Sequence, residues 1–274
     1  MKGKILIIAV LISALIYTGT GCGLTGRNEA VDMMKKVPQD SDSFMFVDID
    51  AFRTDSTLEQ AYADLEGSIE EMTEFFGITC GEVDRITTTG GTYCILLEGD
   101  FNLGELRGNL EELGYDNDEY NSTEVWGQEE AGILIAVISN KLIIIGTEAD
   151  TTACIEIIRG GEASLYDNED ARDVTERLPN GIIFICTEGV TPISYNFHDG
   201  LKFAGVSATK KDANSLAFTM ALKFEDGNSA SAAMDEIEYD LENDVVDDWK
   251  TIDVTRDAEF IEVTMELDID DLFN

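Results

Sequence analysis

The chain has 274 residues, 44% of them apolar, which suffices for one large domain or two of ordinary size around a proper core. Its 18 basic and 56 acidic residues leave a formal net charge of −38. That field excludes nucleic-acid binding, which needs clustered Lys and Arg. It reads first as a hydrated, salt-tolerant surface and second as a binder of cations or cationic ligands.

The N-terminus carries an address. Lys2 and Lys4 precede an apolar or small-residue run from Ile5 to Tyr17, and Thr18-Gly19-Thr20-Gly21 leads into Cys22. A run of about 13 residues falls short of the roughly 20 that a spanning helix needs, and with its basic start it fits a secretory signal peptide. Small residues before a cysteine resemble the lipobox of bacterial lipoproteins, where cleavage precedes a diacylated Cys. The pattern departs from that motif at Gly19, where Leu is usual. The expectation is a leader at 1–21, a lipidated Cys22 with a short tether at 22–27, and residence at the extracytoplasmic face of the membrane.

In chain order, Asn28–Pro38 reads as a short helix ended by proline, and Phe44–Val47 as an apolar strand. Leu58, Tyr62, Leu65, Ile69, Met72 and Phe76 recur at steps of three and four, marking an amphipathic helix. Arg85–Thr89 and Thr92–Glu98 form a hairpin across Gly90-Gly91. A helix on Leu103, Leu106, Leu110 and Leu113 follows, then strands at Glu124–Trp126, Ile133–Ile138 and Lys141–Gly146. Asp150–Arg159 is a linking helix stopped by Gly160-Gly161.

The plan then recurs, without a clear counterpart to the Leu58–Phe76 helix, since Val190–Gly200 is too short and irregular. Glu169–Pro179 matches Asn28–Pro38 without a gap, and Ile182–Ile185 follows as its strand. Lys202–Thr209 turns into Ser215–Phe224, whose alternating Leu216, Phe218, Met220, Leu222 and Phe224 predict one buried and one wet face. A helix on Ala230, Met234, Ile237 and Leu241 precedes strands at Lys250–Thr255 and Glu259–Leu267. The predicted architecture is α+β: two tandem repeats, 28–160 and 161–274, each an antiparallel sheet with helices packed on one face, and a groove between the lobes.

Val37-Pro38, Phe44-Met-Phe-Val-Asp-Ile-Asp50, Gly114-Tyr115, Glu124-Val-Trp126 and Ser164–Asp173 before Arg177-Leu-Pro179 together resemble a widespread group of bacterial envelope proteins with a shared domain of unassigned function. The likeness spans most of the first repeat and the start of the second. It implies an extracytoplasmic location and two related α+β lobes, and carries over no active-site residue.

Chemistry is sparse. His198 is the sole histidine, in Ser194-Tyr-Asn-Phe-His-Asp199, with no nucleophile elbow and no phosphate-binding glycine loop. Calcium is the cofactor the acids could hold, since it takes six to eight oxygen ligands. Candidate ligands are Asp48 and Asp50, Asp116 and Asp118, and Asp268 and Asp270; the first and last pairs read as strand ends, where alternation sets both carboxylates on one side. Trp126 and Trp249 are core residues or a stacking surface, and Asn121-Ser-Thr123 is a formal glycosylation acceptor. Beyond Cys22, an even set of Cys80, Cys94, Cys154 and Cys186 permits two disulfides outside the cytoplasm. Their apolar surroundings favour free, buried thiols.

The expectation is therefore a non-enzymatic envelope module that binds or scaffolds a protein or cell-wall component, anchored to the membrane by its lipid and needing no cofactor. The alternatives are a calcium-binding acidic surface domain and a carboxylate-based hydrolase.

Overall fold

A computed structural model describes residues 26–91, 93–128, 132–192, 198–243 and 251–268. The chain opens on helix α1 (Gly26–Met34), strand β1 (Ser43–Asp48) and a short helix α2 (Ile49–Thr54). Helix α3 (Glu59–Thr73) leads through a 3-10 turn to the hairpin β2 (Val83–Gly90) and β3 (Cys94–Gly99). Helix α4 (Leu103–Glu112) precedes β4 (Asp116–Tyr120), β5 (Thr123–Gln128), β6 (Ile133–Ser139) and β7 (Leu142–Gly146). Next come α5 (Glu148–Ile158), α6 (Glu169–Arg177), β8 (Ile183–Glu188), β9 (Leu201–Lys210) and β10 (Ser215–Phe224). Helix α7 (Gly227–Asn243) and strands β11 (Thr251–Asp257) and β12 (Phe260–Asp268) close the described chain.

All twelve described strands lie in one antiparallel sheet, ordered β11-β12-β10-β9-β8-β1-β2-β3-β7-β6-β5-β4. The strands of the two expected units join in one sheet, a point the sequence leaves open, and its centre is the β1–β8 pair, with Met45 opposite Ile185 and Phe46 opposite Phe184. The reason is local. Phe44, Phe46 and Val47, like Ile183 through Cys186, are buried on both faces of their strands. A strand that is apolar on both faces has no wet side to show, and an open edge would leave its backbone groups bare. Pairing the two strands removes both edges at once. Where a groove between lobes is the expectation, the junction is thus a hydrogen-bonded ladder.

Burial on both faces also needs cover on both faces, so the expectation of helices on one side is corrected. One core gathers Val47, Leu97 and Ile143 with Phe52 of α2, Leu65 and Ile69 of α3, Leu106 and Leu110 of α4, and Ile237 of α7. The other joins Phe44, Phe46, Leu96 and Phe184 to Met33 and Met34 of α1, Ile155 of α5, and Ala171 and Val174 of α6. Both cores run across the β1–β8 junction. Gly205 on β9 lets α6 approach: a Cβ there would come within 2.8 Å of Val174 and Leu178 side-chain carbons. Beneath α6 the second face of β10 is not wet, because Lys223 is buried there with its ammonium 2.7 Å from Asp170 and 2.6 Å from Asp173.

Candidate functional site

Cys22 and Asp270 fall outside the described residues, and Asp268 ends β12. Asp48 and Asp50 do not form the expected strand-end pair, because β1 stops at Asp48 and a helix begins at Ile49. Asp48 is the cap of that helix: its Oδ1 accepts the Ala51 N–H at 3.0 Å, which satisfies one orphan donor of the first turn. Asp50, two residues into the turn, pairs with Arg53 at 2.8 Å. Arg53 also meets Asp84 at 2.8 Å and donates to the Gly81 carbonyl at 3.2 Å. Asp116 and Asp118 sit exposed on β4, the outermost strand on its side, and the Asp118 carboxylate accepts its neighbour Glu119 N–H. Among the described residues no three His, Cys, Asp or Glu side chains converge as a metal centre would require.

A row of charge crosses three neighbouring strands, where Asp48 lies opposite Arg85 on β2 and Arg85 lies opposite Glu98 on β3. Helix α1 closes over it. Glu29 takes the Arg85 guanidinium as a fork, at 2.6 and 3.2 Å, and Lys36 reaches Glu98 at 2.6 Å. Burial is the largest influence on Glu29 and raises its carboxyl above the usual range, with Arg85 opposing. Burial likewise raises Asp48, against the Ala51 hydrogen bond and Arg85. Chemically the row is a clasp. Each cation already meets a carboxylate, and the product is a helix fixed to the sheet. The clasp continues beyond α1, where Leu165 N–H donates to the Val37 carbonyl at 2.9 Å and Pro38 bridges Ser164.

Of the remaining singled-out residues, Trp126 and Asn121 have hydrogen-bond partners, whereas Nδ1 of the buried His198 has none among the described residues. His198 is buried, with Nδ1 3.6 Å from the Glu236 carboxylate of α7. Trp126 is buried rather than offered as a stacking surface, and its indole N–H donates to Glu124 at 2.8 Å; Trp249 is outside the described residues. Asn121 and Ser122 form the left-handed tip of the β4–β5 hairpin, and the Asn121 amide donates to Glu156 at 3.3 Å. The four described cysteines are free and buried. Two of them, Cys94 on β3 and Cys154 on α5, place their sulfurs 3.2 Å apart, a proximity that a separation of 60 residues kept out of the sequence reading. No described helix is long and apolar enough to cross a membrane.

No protein-family model matches the chain. The uncharacterized protein MJ0635 of Methanocaldococcus jannaschii is 24% identical over 281 residues, covering 97% of this chain and 96% of that protein. The fold is shared with TP0453. Its crystal form I covers 88% of this chain and 98% of its own at a TM-score of 0.54 and 7% identity, and its crystal form III covers 86% and 94% at 0.54 and 6%. At that identity the likeness speaks for the arrangement of elements alone. The chain is thus similar along almost its whole length to an archaeal protein that carries no described function, and it shares an α+β architecture with one solved fold.

Proposed function

We propose that this chain is a non-enzymatic binding or scaffolding module of the cell envelope, exported and held at the outer face of the membrane by a lipid on Cys22. The observation that carries the reading is the N-terminal pattern: Lys2 and Lys4, the apolar run Ile5–Tyr17, and small residues ending at Cys22. The docking of α1 supports it. The helix begins at Gly26, four residues after Cys22 in the sequence, so a pull from the anchor would enter the domain there. The helix is held by buried Ala30, Met33 and Met34 and by the Glu29–Arg85 fork.

The reading includes a duplication, with repeats at 28–160 and 161–274 and a membership in the envelope group that the sequence resembles. Its support is the strand order, mirrored over five strands: outwards from the centre run β1-β2-β3-β7-β6 on one side, continuing to β5 and β4, and β8-β9-β10-β12-β11 on the other. The match of Asn28–Pro38 to Glu169–Pro179 also sets Glu29 level with Asp170. Each of these helix acids pairs with a cation of the sheet, Arg85 in one half and Lys223 in the other.

The test is intact mass and detergent partition of natively expressed protein beside a Cys22→Ala variant. Cleavage before Cys22 with added acyl chains, both lost in the variant, is expected; an uncleaved, unacylated chain in the aqueous phase overturns the anchor. For the scaffolding role, cross-linking in native membranes at low and physiological salt should retain an envelope partner. A chain that cross-links to nothing at either salt counts against that role.

A further inference from the structure

We propose that Cys94 and Cys154 form a disulfide under oxidising conditions, closing a covalent loop around the outer strands of the first half. The two sulfurs lie 3.2 Å apart, against about 2.05 Å for an S–S bond, so closure asks them to approach by only about 1.2 Å. The backbones that carry them are already tied together. Tyr93 N–H donates to the Asp150 carboxylate at 3.0 Å, Thr147 N–H donates to the Tyr93 carbonyl at 3.3 Å, and Cys94 pairs with Gly146 across the β3–β7 ladder. Gly146 permits that approach, since a Cβ on it would sit 2.4 Å from the Tyr93 carbonyl oxygen. The other two described thiols lack this setting: Cys80 faces the Tyr62 hydroxyl at 3.7 Å, and Cys186 faces Thr175 at 3.8 Å.

The chemistry is thiol–disulfide exchange with a small-molecule or protein disulfide as oxidant. The Cys94 thiolate attacks one sulfur of glutathione disulfide and releases a glutathione thiolate, leaving a mixed disulfide. The Cys154 thiolate then attacks Cys94 Sγ and releases the second glutathione. Two protein thiols lose two protons and two electrons, and the oxidant takes up the electrons as two thiols. Both sulfurs are buried, Cys94 at 1% exposure and Cys154 at 0%, so the bond forms while the chain folds and is slow to form once the core has closed. That the bond forms in the cell rests on the export proposed above, because cytosolic thiols are kept reduced.

The deciding experiment unfolds and reduces the full chain, refolds it in a glutathione redox buffer, alkylates remaining thiols in denaturant and maps peptides by mass. A Cys94–Cys154 linked peptide pair with Cys80 and Cys186 alkylated is expected, the linked pair lighter by about 2 Da and the oxidised protein melting higher than the reduced. Alkylation of both Cys94 and Cys154, or a link from either to another cysteine, overturns the proposal. A second arm acid-traps thiols in native cells and tests protease access to the chain on intact cells. An accessible chain carrying the link supports the proposal, and an accessible chain with both thiols free overturns its cellular part. An inaccessible, reduced chain overturns export instead, and the refolding result still decides the bond.

Discussion

At Asp48 the cap and the burial pull in opposite directions. The carboxylate satisfies a helix donor, yet desolvation raises its pKa above the ordinary 3.8. A carboxyl that holds its proton more tightly when folded contributes less stability as pH rises from about 3.8 through its folded value. Asp48→Asn keeps an acceptor for Ala51 and removes the titration, so its stability should equal or exceed the wild type above that window and lose the downward slope. Asp48→Ala lacks both the acceptor and the titration, so it should cost about 1 kcal/mol below that window and less above it. Urea midpoints from pH 3 to pH 8 check both; an Asn variant as weak as Ala would mean that Asp48 does something other than cap. Glu124 runs the other way. Its hydrogen bonds from Arg107 lower its pKa below 4.5, so its contribution is present above 4.5 and lost as pH falls.

Among the described elements, β4 is exposed along its whole length. Asp116, Asn117, Asp118, Glu119 and Tyr120 are all exposed, and the strand forms one end of the sheet. Charge on an open edge discourages pairing with another chain. Replacing Asp116, Asp118 and Glu119 by Thr should therefore produce concentration-dependent association, seen by light scattering, while the wild type stays unchanged. No change in the triple variant would show that the acids do not guard the edge. The same strand marks a limit of sequence reading. Hairpins punctuated by Gly90-Gly91 and strands alternating like Leu216–Phe224 declare themselves locally. A polar edge strand has no hydrophobic period, so Asp116 and Asp118 read from the sequence as acids of a loop and as candidate calcium ligands. Helix α2 is not legible in the sequence because six residues hold too little of a 3.6 period, and the strand-end placement of Asp48 and Asp50 fails with it. The single sheet was hidden for another reason: Met45 meets Ile185 across about 140 residues, and no local pattern encodes a distant partner.

For the whole molecule, two cores crossing the β1–β8 junction should make the halves unfold together. Phe46→Ala, at a fully buried position opposite Phe184, should lower stability by about 3–5 kcal/mol while leaving a single transition by calorimetry. Two resolved transitions would mean that the halves are thermodynamically separate. The net charge of −38 adds self-repulsion that salt screens, so melting temperature should climb from low to molar NaCl. Millimolar CaCl2 and MgCl2 at matched ionic strength should raise it equally. A rise with calcium alone would return attention to the acid clusters, because a ligand that binds only the folded state must stabilise it.

The central ladder also sets a schedule for synthesis. The chain is made from its N-terminus, and β1 must wait until Ile183–Glu188 exists before its second neighbour arrives. Throughout that interval the nascent first half presents an unpaired apolar strand. Because β1 meets β8 antiparallel, a second nascent chain can offer its own β1 in the missing place. Fragments truncated before residue 183 should accordingly dimerise or precipitate, and the full-length chain should fold slowly and benefit from whatever shields that strand until its partner emerges.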